Sequence, residues 1–132
     1  MRNVSADSIT TAAGLTNIAV ASQAVVYTHS FKLSFADYFG LRYKAVSASG
    51  TPNLLIQMEM GDEPPATEGV ADNEWVVPES LANIETALET ETVHRKSISP
   101  PAFAYGRLKI TGNETNPADT IITAKISKQE EF

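Results

Sequence analysis

The sequence contains no cysteine, a single tryptophan, Trp75, and only two histidines, His29 and His94. The lack of cysteine excludes disulfides and thiolate metal sites, so the fold must be stabilised by packing or by association. The two histidines lie far apart in the chain, outside any cluster with metal-ligand spacing, and we expect structural or surface roles for them. No G-x-S-x-G turn is present, and no pair among the sixteen acidic residues is singled out by its spacing. We therefore expect neither an enzyme nor a cofactor.

Positive charge is also scarce, and the middle of the chain lacks it. The formal net charge is -6, and residues 45–94 contain ten acidic residues but no lysine or arginine. The basic residues come in isolated pairs instead of a dense patch with interleaved aromatics, so nucleic acid is not an expected partner. No apolar run approaches the roughly 20 residues that cross a bilayer, and the first residues lack the apolar core of a signal peptide. We expect no membrane partner and no export by that route.

Strict alternation of apolar and polar residues is the main pattern from Ile18 onward. It is clearest where Leu41, Tyr43 and Ala45 alternate with Arg42 and Lys44. This period of two predicts an all-β fold, a single antiparallel β-sandwich resembling a jelly roll, with about eight strands. The predicted strands fall within residues 18–28, 31–35, 41–45, 54–60, 74–77, 93–98, 107–110 and 122–126. The turn at residues 49–52 predicts a hairpin between the third and fourth of them.

Two segments fall outside this pattern. Residues 1–16 are rich in small and polar residues and predict an extended N-terminal arm, with the sandwich domain spanning residues 17–132. In residues 79–89, Leu81, Ile84 and Leu88 follow Pro78 at helical spacing, so this segment is a candidate helical turn within a connection.

The loop at residues 61–73 is the longest irregular stretch, and its adjacent prolines and acidic residues predict an exposed contact surface. Two interpretations of its charge stay open. Four carboxylates bracket the loop and have the hard oxygen ligands that calcium needs, while the alternative is a solvated acidic loop. The four are Asp62, Glu63, Asp72 and Glu74.

Trp75 follows the loop directly, and it also has two possible roles. An exposed indole stacks on sugars, so Trp75 with Tyr27 or Tyr105 would form a carbohydrate platform. The other possibility is that the indole packs in the core.

Several short stretches resemble small β-sandwich proteins found among the virion structural components of tailed bacteriophages. The stretches are residues 38–41, 49–52, 74–78, 97–101, 107–113 and 116–120. The resemblance implies a virion protein, most directly a capsid decoration protein that sits on the shell as a symmetric oligomer. Its partners would be further copies of the chain and other virion proteins such as the major capsid protein. The alternative is a carbohydrate-binding or receptor-binding sandwich associated with a tail or fibre.

A decoration protein needs exposed contact residues on arms, loops and strand faces. The candidate interface residues are Arg2, Ile9, Leu15, Asp62, Glu63, Glu68, Asp72, Trp75, Arg107 and Lys109.

Overall fold

A computed structural model describes residues 2–33, 38–98 and 103–131 of the chain. Within these residues there are ten β-strands, one 3-10 turn and no α-helix, which confirms the predicted all-β class. The strands are β1 (Arg2–Ile9), β2 (Ile18–Ala19), β3 (Val25–Tyr27), β4 (Phe31–Lys32), β5 (Tyr38–Val46), β6 (Leu54–Gly61), β7 (Glu85–Leu88), β8 (His94–Ile98), β9 (Tyr105–Gly112) and β10 (Ile121–Glu131).

The strands form two antiparallel sheets that pack face to face, so the predicted β-sandwich is confirmed. Sheet A has the order β1-β10-β5-β8, and β2 extends the β1 edge by pairing with β10. Sheet B has the order β3-β9-β6-β7, and β4 extends the β3 edge by pairing with β9.

The core lies between the sheets and follows the period-two pattern of the sequence. Leu41, Tyr43 and Ala45 of β5 face inward, while Arg42 and Lys44 between them are exposed. Because alternate side chains of a strand point to opposite faces, each strand supplies one apolar row to a shared interior. The buried core residues are Ile9, Ile18, Val20, Leu33, Phe39, Leu41, Tyr43, Ala45, Leu54, Ile56, Met58, Met60, Leu88, Ile98, Leu108, Ile110, Ile122, Ala124 and Ile126.

The predicted hairpin between β5 and β6 is wrong. β5 pairs with β10 and β8 in sheet A, whereas β6 pairs with β9 and β7 in sheet B. The connection at residues 47–53 therefore crosses from one sheet to the other. Alternation shows which side chains face the core, but both sheets of a sandwich face the same core. The pattern alone does not distinguish a hairpin from a crossover.

The first half of the predicted N-terminal arm forms β1, which pairs with the edge of its own sandwich. β1 pairs with β10 from Arg2 opposite Glu131 to Ile9 opposite Ala124. Ile9 is only 2% exposed and packs in the core, so it is unavailable as an interface residue. β10 is eleven residues long and would otherwise present unpaired backbone groups along its edge. Pairing satisfies those groups, so β1 folds back on its own domain.

The weaker sequence predictions are met in part. Residues 79–89 contain a single 3-10 turn, Glu79–Leu81, followed by β7. The predicted helical turn is therefore confined to the first three residues of the segment. Residues 18–28 form two short strands instead of one, and residues 74–77 contribute a single bridge from Val76 to Met60. The strand predicted at residues 31–35 shortens to β4, and Phe35 lies outside the described residues.

Candidate functional site

The outer face of sheet B is covered by the segment that follows β6. The Val76 N–H donates to the Met60 carbonyl at 3.0 Å, and the Met60 N–H donates to the Val76 carbonyl at 2.7 Å. This pair of bonds holds the end of the segment against the strand. Trp75 lies flat against Gly61, where a Cβ atom would stand 2.5 Å from the indole. The indole is 6% exposed. Trp75 therefore packs into the molecule, and the exposed sugar platform proposed around it is not formed.

Arg107 is enclosed beneath the same segment. It points outward from β9, directly opposite Glu59 of β6, and its Nε donates a 2.8 Å hydrogen bond to Glu59 Oε1. Its guanidinium lies 4.5 Å from the ring centre of Tyr27 and 5.0 Å from that of Trp75. An arginine this close to two aromatic rings gains cation-π stabilisation from each of them. Among the described residues, no hydrogen-bond partner exists for either of its Nη atoms.

This burial corrects the assignment of Arg107 as an interface residue. Its side chain has no exposed surface, so it cannot present its charge to a partner. Strand alternation correctly places Arg107 on the outer face of sheet B, but the residues that cover this face come from a distant loop. The neighbouring Lys109 is partly exposed on the same face, 5.9 Å from the Tyr27 ring, and Tyr105 is half-buried at the start of β9.

Two of the acidic residues hold the covering loop in place. Asp72 accepts the backbone N–H of Glu74 at 2.9 Å and that of Ala66 at 3.0 Å. These two bonds, with the nearby positive charge of Arg107, lower the pKa of Asp72 below its ordinary value. Glu68 accepts the amide and the hydroxyl of Ser30 at 2.8 and 2.6 Å. Asp72 and Glu68 therefore stabilise the loop, and neither is free to dock a partner.

The cation site considered for this loop is not formed. No three histidines or carboxylates converge as metal ligands within the described ranges, which include Asp62, Glu63, Asp72 and Glu74. Asp72 already uses both carboxylate oxygens for backbone amides.

The remaining carboxylates of the loop are exposed around one depression. Asp62, Glu63 and Glu74 border a groove of about 560 Å³ that Pro64, Asn73 and Trp75 also line. We call it the acidic groove. None of these three carboxylates hydrogen-bonds or pairs with another side chain in the part of the chain that the structure describes, so all three are available to a cationic partner.

The outer face of sheet A has the opposite charge. Lys125 of β10, Arg42 of β5 and Arg95 of β8 lie directly opposite one another across the three strands, and all are exposed. We call these three the basic row. Lys44, also exposed, lies two residues from Arg42 on the same face. No salt bridge joins any of these cations to another described residue. The sequence shows that the basic residues come in pairs, but only strand order shows that these cations share one face.

A hollow of about 240 Å³ borders the basic row. Gly40 forms its floor, and Ser127 and Ser97 flank Gly40 on the neighbouring strands. Because this row of small residues lies beside Arg42 and Arg95, both guanidinium groups have room to turn toward an anionic group.

The other candidate interface residues differ in accessibility. Leu15 is 63% exposed in the turn after β1, where the Thr11 and Leu15 backbones hydrogen-bond at 2.9 Å. Arg2 begins β1, and its side chain lies outside the described part of the structure.

A polar cluster that sequence reasoning missed closes one side of the sandwich. The Tyr43 hydroxyl donates to Glu85 Oε1, and the Tyr43 ring stacks on His94 at 5.4 Å between centroids. His94 Nδ1 and Lys96 Nζ lie 3.9 and 4.0 Å from the same oxygen. Burial raises the pKa of Tyr43, and the bond to Glu85 raises it further. Since Glu85 is on β7 and His94 is on β8, the cluster joins the edges of the two sheets.

Comparison with known proteins adds no relative. No family model matches the chain, and no curated protein is similar to it in sequence. Within the described residues, no helix has the length and hydropathy needed to cross a membrane.

Proposed function

We propose that this chain is a virion structural protein, most directly a capsid decoration protein that stabilises a shell by docking on it and on further copies of itself. One observation carries the proposal. The two outer faces of a rigid sandwich have opposite charge, with the basic row on sheet A and the acidic groove on sheet B. Complementary faces of this kind fix the orientation of a partner and suppress wrong partners.

The strand connectivity supports a jelly-roll arrangement. The antiparallel pairs are nested along the chain, with β1 on β10, β3 on β9, β5 on β8 and β6 on β7. Folding such a nest of four pairs over itself produces two four-stranded sheets, which is the architecture common in capsid domains. This connectivity is shared with lectins, so the charge distribution, rather than the fold, favours assembly.

The alternative of a carbohydrate-binding module has no comparable support. Its platform requires an exposed aromatic face, and the indole of Trp75 is occupied by Gly61 and Arg107.

Light scattering of the purified protein, together with a binding assay on purified capsids of the virus that encodes it, tests the proposal. We expect a closed oligomer, capsid binding, or both, with interfaces on the order of 800 Å² per partner. A monomer that also fails to bind capsids contradicts the proposal. Genes for a terminase, portal or capsid protein beside the coding sequence would be independent support.

A further inference from the structure

We infer that the partner of the acidic groove is a second copy of this chain, which inserts its basic row. This inference rests on the proposed function and specifies one of its contacts. The two surfaces carry three unpaired charges each, with Asp62, Glu63 and Glu74 on one and Lys125, Arg42 and Arg95 on the other.

The two surfaces also differ in relief, since one rises from a sheet face and the other borders a depression. Neighbouring strands are about 4.8 Å apart, so the basic row spans about 10 Å from β10 to β8. Its long side chains rise from an exposed sheet face. The acidic groove is a depression of about 560 Å³ whose exposed rim contains carboxylates. Arginine in particular pairs with carboxylates through two parallel hydrogen bonds, which gives such a contact direction as well as energy.

The acidic groove is preorganised to receive a partner. Asp72 and Glu68 tie the loop to its own backbone and to Ser30, and Trp75 fixes its end against Gly61. A loop that is already ordered loses little conformational entropy on binding, so more of the charge-pair energy appears as affinity.

The placement of the two surfaces determines the kind of assembly. They lie on opposite outer faces of the sandwich, so a contact between them is head-to-tail and leaves one free surface at each end of a pair. Head-to-tail contacts close into rings or continue as open chains. The inference therefore specifies a cyclic oligomer larger than a dimer, or a filament.

Two charge-reversal variants test the contact. The first reverses the basic row with Arg42→Glu and Arg95→Glu, and the second reverses the acidic groove with Asp62→Lys and Glu63→Lys. Each variant alone has like charges on both surfaces, so we expect its self-association to weaken on the order of a hundredfold. An equimolar mixture of the two variants restores opposite charges across the contact, and we expect it to recover large assemblies. Sedimentation velocity measures all three samples.

The control replaces two exposed acidic residues outside the acidic groove, Glu89→Lys and Glu114→Lys, which changes the net charge as the second variant does. It should associate like the wild type. Circular dichroism checks that each variant is folded. Undiminished association in both variants, or a mixture that stays dissociated, overturns the inference. A wild type that is monomeric in solution but binds capsids also overturns it while leaving the proposed function standing, whereas a monomer that fails to bind capsids contradicts both.

Discussion

At the scale of single residues, the buried pair of Arg107 and Glu59 is the main departure from the simple pattern of apolar inside and polar outside. Removing one member of a buried pair leaves the other charge without compensation. We predict that Arg107→Met lowers the free energy of unfolding by about 3–5 kcal/mol, because the carboxylate of Glu59 remains buried and unpaired. Urea denaturation followed by the fluorescence of Trp75, the single tryptophan, measures this change.

Two further variants test whether charge is the cause. The double variant Arg107→Met with Glu59→Leu should recover most of the loss, since no unpaired charge then remains. Lys109→Met, on the same face of β9, should change stability by less than about 1 kcal/mol because Lys109 keeps contact with solvent. Equal losses in Arg107→Met and in the double variant would show that packing on the two rings, and not charge pairing, is the dominant contribution.

Gly61 is required where it stands because the indole of Trp75 occupies the space of a side chain. We predict that Gly61→Ala destabilises the protein by about 1–3 kcal/mol and shifts the Trp75 fluorescence to longer wavelength, because the added methyl group displaces the indole. Gly40→Ala is the matched control. Its Cβ would meet nothing closer than 3.9 Å, so we expect little change. An unshifted spectrum in Gly61→Ala would contradict the described packing of Trp75.

At the scale of elements, the conformation of the loop at residues 61–73 depends on the ionised form of Asp72. Folding lowers the pKa of this carboxyl below its ordinary value of 3.8, so its stabilising effect is present above that value and is lost as pH falls through the lower folded value. The protection of the Ala66 and Glu74 amides from hydrogen exchange, relative to free amides at the same pH, should therefore persist at pH 5 and fall only below the ordinary pKa of Asp72. Asp72→Asn should raise that exchange at neutral pH, while Glu63→Gln should not. Equal exchange in both variants would contradict the assigned role of Asp72.

The sequence predicts the strands better than it predicts their arrangement. Strands β5, β6, β9 and β10 can be predicted from the sequence, because burial of one face of each strand makes apolar and polar residues alternate along it. The hairpin between β5 and β6 is wrong because alternation does not specify a sheet. The pairing of the N-terminal arm with its own domain was not predictable, because the small and polar residues of β1 form no apolar row. Their backbone groups nevertheless complete the edge of sheet A.

The site was predictable only in part, for the same reason. Proline and acidic residues identify the loop at residues 61–73 as a surface feature, and Asp62 and Glu63 are indeed exposed. The burial of Arg107, the basic row and the cluster around Tyr43 each depend on residues brought together from distant strands. Because no local sequence pattern indicates contacts between distant strands, these features become visible only when the strand order is known.

At the scale of the whole molecule, the net charge does not show that positive and negative side chains lie on different surfaces. A chain with a formal net charge of -6 still has a cluster of unpaired cations on one outer face, because residues 45–94 place their acidic side chains on other surfaces. In the proposed contact, copies of the chain repel one another on average but attract when the basic row of one meets the acidic groove of the next. The range of that attraction is set by the Debye length, about 10 Å at 0.1 M salt and about 3 Å at 1 M.

The most direct test of the account is therefore the sedimentation of the wild-type chain over a series of salt concentrations. We predict assemblies larger than a dimer near 50 mM NaCl that dissociate toward the 14.2 kDa monomer near 1 M, because added ions screen the contact between faces. A mass that stays constant over the whole series, whether monomeric or oligomeric, would contradict assembly through oppositely charged faces.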